Sequence, residues 1–298
     1  MEATSKWVLV TAIAPIAWGT TYFVTREFLP AGYPLYGAVI RALPAGILLL
    51  LVARARPRGA WWWKAAVLGA LNVGLFFVPL YLTAQLLPSS LVSIVMAVSP
   101  VALMLLAWPL LGERPRVRAI VGALAGIVGV SLMLLTSAGT VNPLGVLASV
   151  AAMSSSAVGF VLTKRWAPTT NIVALTSWQL IAGGLIVLPV AILLEGAPPP
   201  LTGSELAGFA YVSVIATAVA FTAWFAGLRH LRASTVGLIG LLNPVSGVLL
   251  GVVAAGEVLG GRQVAGLALV VAGMLIGQRG APRLARWAAA RRVRRLAG

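Results

Sequence analysis

Apolar stretches follow one another along this chain with only short polar breaks between them, at about 7–25, 34–53, 64–86, 90–111, 117–136, 143–163, 171–193, 205–227, 234–254 and 262–279. A helix needs about 20 mostly apolar residues to cross a hydrocarbon core about 30 Å thick, and each stretch is close to that length. Lipid offers no partner to backbone N–H and C=O groups, so such runs must satisfy them internally, as helices. Hydrophobic residues make up 60% of the 298, charged residues only 9%, and the mean hydropathy is +1.00. A water-soluble domain is about a quarter charged. The expected fold class is an all-α polytopic membrane protein with ten transmembrane helices and the lipid bilayer as its solvent. The opening segment, MEATSKWVLVTAIAPIAW, has no small-residue cleavage site behind a short apolar core and reads as a retained first span.

The net charge of +16 is then a matter of topology rather than of nucleic acid. Lys and Arg resist translocation and stay in the cytoplasm. Alternate loops are basic: Lys6, then Arg54, Arg56, Arg58 and Lys64, then Arg114, Arg116 and Arg118, then Lys164 and Arg165, then Arg229 and Arg232, and last the tail. The other loops hold little beyond Arg26 and Arg262. Both termini are therefore expected in the cytoplasm, and the Ala/Leu/Gly-rich, Arg-over-Lys composition suggests a bacterial inner membrane. Trp7, Trp61, Trp62, Trp63 and Trp166 fall at the same edge, where indole prefers the headgroup layer. The basic tail, 282–298, suits a helix lying on anionic lipid. With no cysteine and one histidine, His230 in a basic loop, disulfides, thiol catalysis and Cys- or His-built metal sites are excluded. No mid-span base stands ready to activate a serine, so an intramembrane enzyme is the weaker reading. No cofactor, no metal and no nucleic-acid partner is expected, and the chain is expected to act as a monomer on a small-molecule substrate.

Two segments are nearly the same phrase: IVMAVSPVALMLLAWPLLGE, from Ile94 to Glu113, and LIGLLNPVSGVLLGVVAAGE, from Leu238 to Glu257. One shift of 144 residues places Ser90 on Ser234, Pro100 on Pro244, and Gly112 and Glu113 on Gly256 and Glu257. The same shift places Arg118, Gly122 and Gly129 on Arg262, Gly266 and Gly273. A slightly different shift relates FVTR, from Phe23, to FVLTK, from Phe160. Coincidences among Leu and Val mean little, whereas Pro, Gly and Glu at one offset mark a duplication. The repeats are expected at 1–140 and 141–281. Each holds five spans, an odd number, so the second copy must cross the membrane in the opposite sense. Inverted repeats with interrupted helices in matching places belong to transporters that bind solute near the midplane between the halves.

Ten helices in two five-helix repeats, with the fourth helix of each ending in Gly-Glu about a dozen residues after a proline, resemble the drug/metabolite transporter superfamily and its EamA-type exporters. The resemblance runs from about Trp7 to Arg279. Within that group the chain is most similar to YddG-type amino-acid exporters. The resemblance implies export of small metabolites, amino acids including aromatic ones, by alternating access around a central cavity. Nucleosides, sugars or drug-like compounds would suit a similar cavity and remain the alternative.

Prolines near mid-depth, Pro15, Pro44, Pro79, Pro100 and Pro244, each remove a backbone donor and free a carbonyl that lipid cannot satisfy. Pro100 and Pro244 are equivalent, each follows a polar residue, Ser99 or Asn243, and the two are the expected helix breaks. Around them the candidate solute contacts are Trp18, Tyr22, Asn72, Phe76, Phe77, Tyr81, Ser155, Phe160, Tyr211 and Trp224, together with Ser99 and Asn243. Hydroxyls and amides suit an ammonium and a carboxylate, and rings supply apolar and cation–π faces. Arg41 lies inside the second span, opposite Gln179 in the other repeat, and reads as a structural charge able to reach the outer headgroups. Glu113 and Glu257, at helix ends, read as ties between helices. No carboxylate stands at mid-span.

Overall fold

The computed structural model describes residues 2–28, 30, 32–87, 89–134, 142–255 and 259–278. Glu257 and the basic tail 282–298 lie outside the described residues, as do the side chains of Tyr22 and Tyr81. The chain opens with α1 (Glu2–Phe28) and α2 (Pro34–Ala53). A longer rod follows, in which α3 (Trp61–Gly69) runs through a π-helical turn, Ala70–Gly74, into α4 (Leu75–Leu86). Next, α5 (Ser89–Met96) and α6 (Ser99–Leu111) are separated by a turn at Ala97 and Val98. The unbroken α7 (Val117–Leu134), α8 (Pro143–Trp166) and α9 (Ile172–Glu195) come after them. A second rod with a π turn, Val214–Val219, joins α10 (Gly203–Ser213) to α11 (Ala220–His230). The last elements are α12 (Ala233–Gly240), a break at Leu241, α13 (Leu242–Ala255) and α14 (Gly261–Gln278).

Among the described residues there is no strand, and nine helical runs, beginning with α2, are long and apolar enough to cross a membrane. Ahead of them stands α1, 27 residues long. Side chains on the outside of the bundle are apolar: Leu193 is 82% exposed, Val253 83% and Val117 75%. Water would make that surface a strong aggregation site, and lipid solvates it at no cost. The chain is an all-α polytopic membrane protein. Helix ends are closed locally where the sequence allows it. Asn142 and Asn171 accept the first N–H groups of α8 and α9, and Thr202 forms a capping box with Glu205 at α10.

The irregularities come in pairs. Ala70 and Val214, where the two π turns begin, stand 144 apart, and so do Ala97 and Leu241, at the two breaks. Pro100 and Pro244 are in the first turn of the helix after each break, where a missing N–H removes no helical bond. Pro15, Pro44 and Pro79, expected as interruptions, instead lie inside helices that continue past them. Each removes a single bond, and packing on neighbouring helices holds the rest of the rod straight enough to count as one element.

Packing follows the small residues. The α7 and α14 helices pack antiparallel along glycines, Gly122 against Gly273 and Gly129 against Gly266. A Cβ at Gly122 would stand 2.4 Å from the Gly273 carbonyl oxygen, and one at Gly129 would stand 2.7 Å from that of Gly266. Lipid tails are as apolar as leucine, so close backbone approach supplies the attraction that water supplies elsewhere. Gly69, Gly183 and Gly184 play the same part where α9 meets α2 and α3. Replacing Gly129 by Leu should cost about 1–3 kcal/mol through overpacking. Purified in detergent, that variant should lose its fold at a lower temperature, while Leu124→Ala, on the 53% exposed face of α7, should not. Equal midpoints for the two would mean that α7 and α14 do not depend on glycine contact.

Candidate functional site

A π turn carries an extra residue per turn and shifts the backbone out of α-helical register, so its carbonyls become available to side chains of other helices. At Val214–Val219 the Ala216 carbonyl accepts from Trp18 Nε1 at 3.0 Å and from Arg41 Nη2 at 3.2 Å. Arg41 Nε donates to Thr217 Oγ1 at 3.0 Å, and the guanidinium lies over the Phe77 ring, 5.4 Å from its centroid. Thr217 is midway along the rod from Gly203 to His230, so the guanidinium is at mid-depth. The expectation that Arg41 reaches the outer headgroups is thereby corrected: its side chain turns inward, toward the carbonyl and hydroxyl of the π turn. Among the described residues no carboxylate pairs with it. An arginine at the centre of a membrane helix costs about 2.5–3.5 kcal/mol even when it can relax, and Arg41 remains only half-buried.

Rings surround this point. Trp18 meets Phe221 and Trp224 at 5.3 and 5.2 Å between centroids, and Phe160 meets Trp224 at 5.5 Å. Phe76 and Phe77 touch edge to face at 5.1 Å, and Tyr211 shares a hydrogen bond of 2.7 Å with Thr20. Trp18, Phe77, Phe160 and Tyr211 are half-buried, so the cluster is packed on the core without being sealed inside it. Two buried polar atoms here have no partner, the donor Trp224 Nε1 and the acceptor Asn243 Oδ1. Trp224 also lies against Gly240, at the break between α12 and α13. Ser99 is half-buried in the first turn of α6, at the corresponding break.

The equivalent place in the other half is closed. Gln179 Oε1 accepts from Asn72 Nδ2 at 2.6 Å and from Thr163 Oγ1 at 3.4 Å, and Ser155 Oγ donates to the Leu71 carbonyl at 2.8 Å. Asn72 is 2% exposed, inside its own π turn, with Gly159 packed directly on its amide. Asn72, expected to face the solute, is instead buried in an internal network through its Nδ2, with its Oδ1 unpartnered, and the hydroxyl of Ser155 is engaged beside it. Thr20, Phe221 and the Ala216 carbonyl are contacts that sequence reasoning missed. Only the equivalence of the two repeats, with Arg41 opposite Gln179, hinted at them.

One face of the bundle is tied shut. Glu113, just beyond α6, makes an ion pair with Lys164 at 2.6 Å and accepts the Ala233 N–H at 2.8 Å. That N–H opens α12, which has no side-chain cap of its own, so a carboxylate from the first half caps a helix of the second. Lys164 also reaches the Leu231 carbonyl at 2.5 Å, and Arg232 reaches that of Arg114 at 2.8 Å. Behind these ties α6 packs on α12, with Gly237 against Pro100 and Leu103. On the opposite face α5 and α13 are not packed on each other in this way among the described residues. There a third carboxylate, Glu195, caps α2 by accepting the N–H groups of Leu35 and Tyr36 at 2.7 and 2.8 Å.

Comparison with known proteins agrees with this architecture. Residues 5–135 and again 143–277 match the EamA-like transporter family. The chain belongs to the EamA-like transporter family. Among relatives of this EamA-like chain, Protein PecM of Dickeya dadantii (strain 3937) is 41% identical over 267 residues, covering 89% of this chain and 90% of that protein. The uncharacterized inner membrane transporter YedA of Escherichia coli (strain K12) is 30% identical over 258 residues, covering 82% and 81%. A crystal structure at 22% identity superposes with a TM-score of 0.81 over 92% of this chain and 96% of that one, which speaks to the fold alone. The chain is thus a multi-pass membrane transporter of the EamA type.

Replacing Glu113 by Ala in this transporter removes both an ion pair and a helix cap. Removing a cap alone costs about 1 kcal/mol, and a charge-assisted bond adds about 1.5–3 kcal/mol. Spin labels at Trp108 on α6 and Thr235 on α12 should then report a second, longer distance that is minor in the parent. An unchanged distance distribution would show that other contacts hold this face closed.

Proposed function

We propose that this transporter exports small metabolites from the bacterial cytoplasm, amino acids including aromatic ones, by alternating access between two inverted five-helix repeats at 1–140 and 141–281. The observation that carries the solute class is the unpartnered buried donor Trp224 Nε1, beside the rings of Trp18 and Phe160, together with a second unpartnered atom, the acceptor Asn243 Oδ1 at the start of α13. A buried donor or acceptor without a partner is costly, so a solute offering both kinds of group gains from filling the place. The rings match an apolar or aromatic side chain.

Alternating access is supported by the asymmetry of the two faces. The structure is closed where α6 packs on α12, and α5 and α13 are not packed on each other to the same extent among the described residues. In the alternate state the inverted repeat would exchange these roles. Glu257, equivalent to Glu113, would cap the start of α5 at Ser89, which is equivalent to Ala233. The closed face is also the basic one, with Lys164, Arg229 and Arg232, and the tryptophan-rich one, where Trp63 meets Trp166 at 5.3 Å and Trp7 stacks on His230 at 3.6 Å. That is the face we assign to the cytoplasm, with both termini.

In reconstituted vesicles, labelled phenylalanine and tryptophan should cross saturably and compete with each other. Asn243→Leu should raise KM by roughly 5- to 150-fold, the equivalent of about 1–3 kcal/mol, while inserting normally. Movement of nucleosides or sugars with no effect of amino acids would replace this reading by the alternative one. Topology has its own check. In intact cells an impermeant thiol reagent should label Gly203→Cys and leave Arg58→Cys unlabelled, and the reverse pattern would turn the whole assignment over.

A further inference from the structure

Among the described residues, Arg41 is a cation without a counter-ion. The six acidic residues of the chain are Glu2, Glu27, Glu113, Glu195, Glu205 and Glu257, none of them at mid-span. Glu113 pairs with Lys164, Glu195 caps α2 and Glu205 completes a capping box. The Arg41 guanidinium uses Nε on Thr217 and Nη2 on the Ala216 carbonyl, both neutral acceptors, and one face on Phe77. Its Nη1 has no protein partner among the described residues and is not sealed inside the protein.

A purely structural role does not explain the charge. At the equivalent place in the other half, Gln179 holds the other π turn through Asn72, and it does so with neutral amides at 1% exposure. Joining a helix to a π turn therefore needs no cation. The half that keeps one leaves it half-buried beside the Phe77 ring, and Trp18, which shares its Ala216 acceptor, touches Trp224, whose buried Nε1 is a second donor without a partner. A guanidinium presents a planar fork that fits a carboxylate, and in a medium of low dielectric such a pair strengthens.

We propose that Arg41 binds the carboxylate of the transported solute, and that the site selects carboxylate-bearing solutes whose apolar part lies against Trp18, Phe160 and Trp224. This rests on the reading of the ring cluster as an amino-acid site, and adds the group that recognises the acid and the requirement that the acid be present. The bound carboxylate supplies a counter-charge that no described residue provides. Neutral or cationic analogues of the same shape leave Arg41 unpaired and bind weakly.

The test uses the full chain, purified and also reconstituted, with indole-3-acetate, its neutral analogue indole-3-acetamide and the cationic tryptamine as probes. Indole-3-acetate should raise the unfolding temperature of the parent, and the two analogues should not. Arg41→Gln, which copies the residue of the other repeat, should insert and unfold as the parent does without ligand, yet require about tenfold more indole-3-acetate for the same shift. Arg41→Lys should fall between them, since the charge stays and the fork is lost. Equal stabilisation of the parent by all three probes would overturn the proposal without any variant, and so would an unchanged midpoint in Arg41→Gln. Should Arg41→Gln fail to fold, the parent's preference among probes and the weakened response of Arg41→Lys decide the matter. Phenylalanine transport that ignores Arg41→Gln would leave the amino-acid reading standing and remove this one. Arg41-dependent binding of indole-3-acetate, with no amino acid moved, would do the opposite.

Discussion

A helix broken inside a membrane must find its missing hydrogen bonds within the protein, because lipid supplies none. This constraint organises the centre of the molecule. The π turn at Val214–Val219 presents the Ala216 carbonyl, and donors from two other helices, Trp18 and Arg41, converge on it. At the second π turn, Ala70–Gly74, Ser155 donates to the Leu71 carbonyl and the Asn72 amide donates to Gln179. Each repair joins three helices at one point, so the irregular backbone positions the side chains around it. The cluster of rings with its cation is built on these repairs.

The two halves answer one constraint with different chemistry. Around Asn72 the network is neutral and buried, and it leaves little room for anything but protein. Around Ala216 it holds a charge and stays partly open. Matching backbone irregularities can thus be held by different side chains. Symmetry resides in positions that packing and backbone geometry dictate, such as the glycines where α7 meets α14 and the prolines after each break. It is absent where Arg41 stands in one half and Gln179 in the other.

Charges at the ends of the bundle do a different job. Glu113 and Glu195 both cap helices to which they are not joined in sequence, on opposite faces. A carboxylate placed at a foreign N-terminus is bound by the helix dipole and by N–H groups that have no other acceptor, and the bond is lost once the helices part. Such a contact is well suited to hold one state of a moving assembly. Each bond is strong enough to matter and local enough to release.

Much of this was legible in the residues. Length and apolarity alone require helices in lipid, because no other backbone arrangement of 20-residue runs satisfies its polar groups there. The offset between the two Pro…Gly-Glu segments was readable because proline, glycine and glutamate are each demanded by a local backbone or capping need. Glu113 as a tie between helices was readable for the same reason, though its partner Lys164 was not, since a basic loop residue serves topology equally well. The π turns had no signature: Ala-Leu-Asn-Val-Gly and Val-Ile-Ala-Thr-Ala-Val are ordinary helical sequence, and the shift in register comes from neighbours that donate to the displaced carbonyls. For the same reason the sequence could show Arg41 as a charge in an apolar span but not where it points. By itself, the sequence determined the solvent, the helices, the 144-residue offset between the two Pro…Gly-Glu segments and the absence of any mid-span acid, since these follow from residue type and spacing. The tertiary structure alone decided which half is closed, which polar groups are consumed and which remain free, because hydrogen bonds between helices depend on side chains brought together from far apart in the chain.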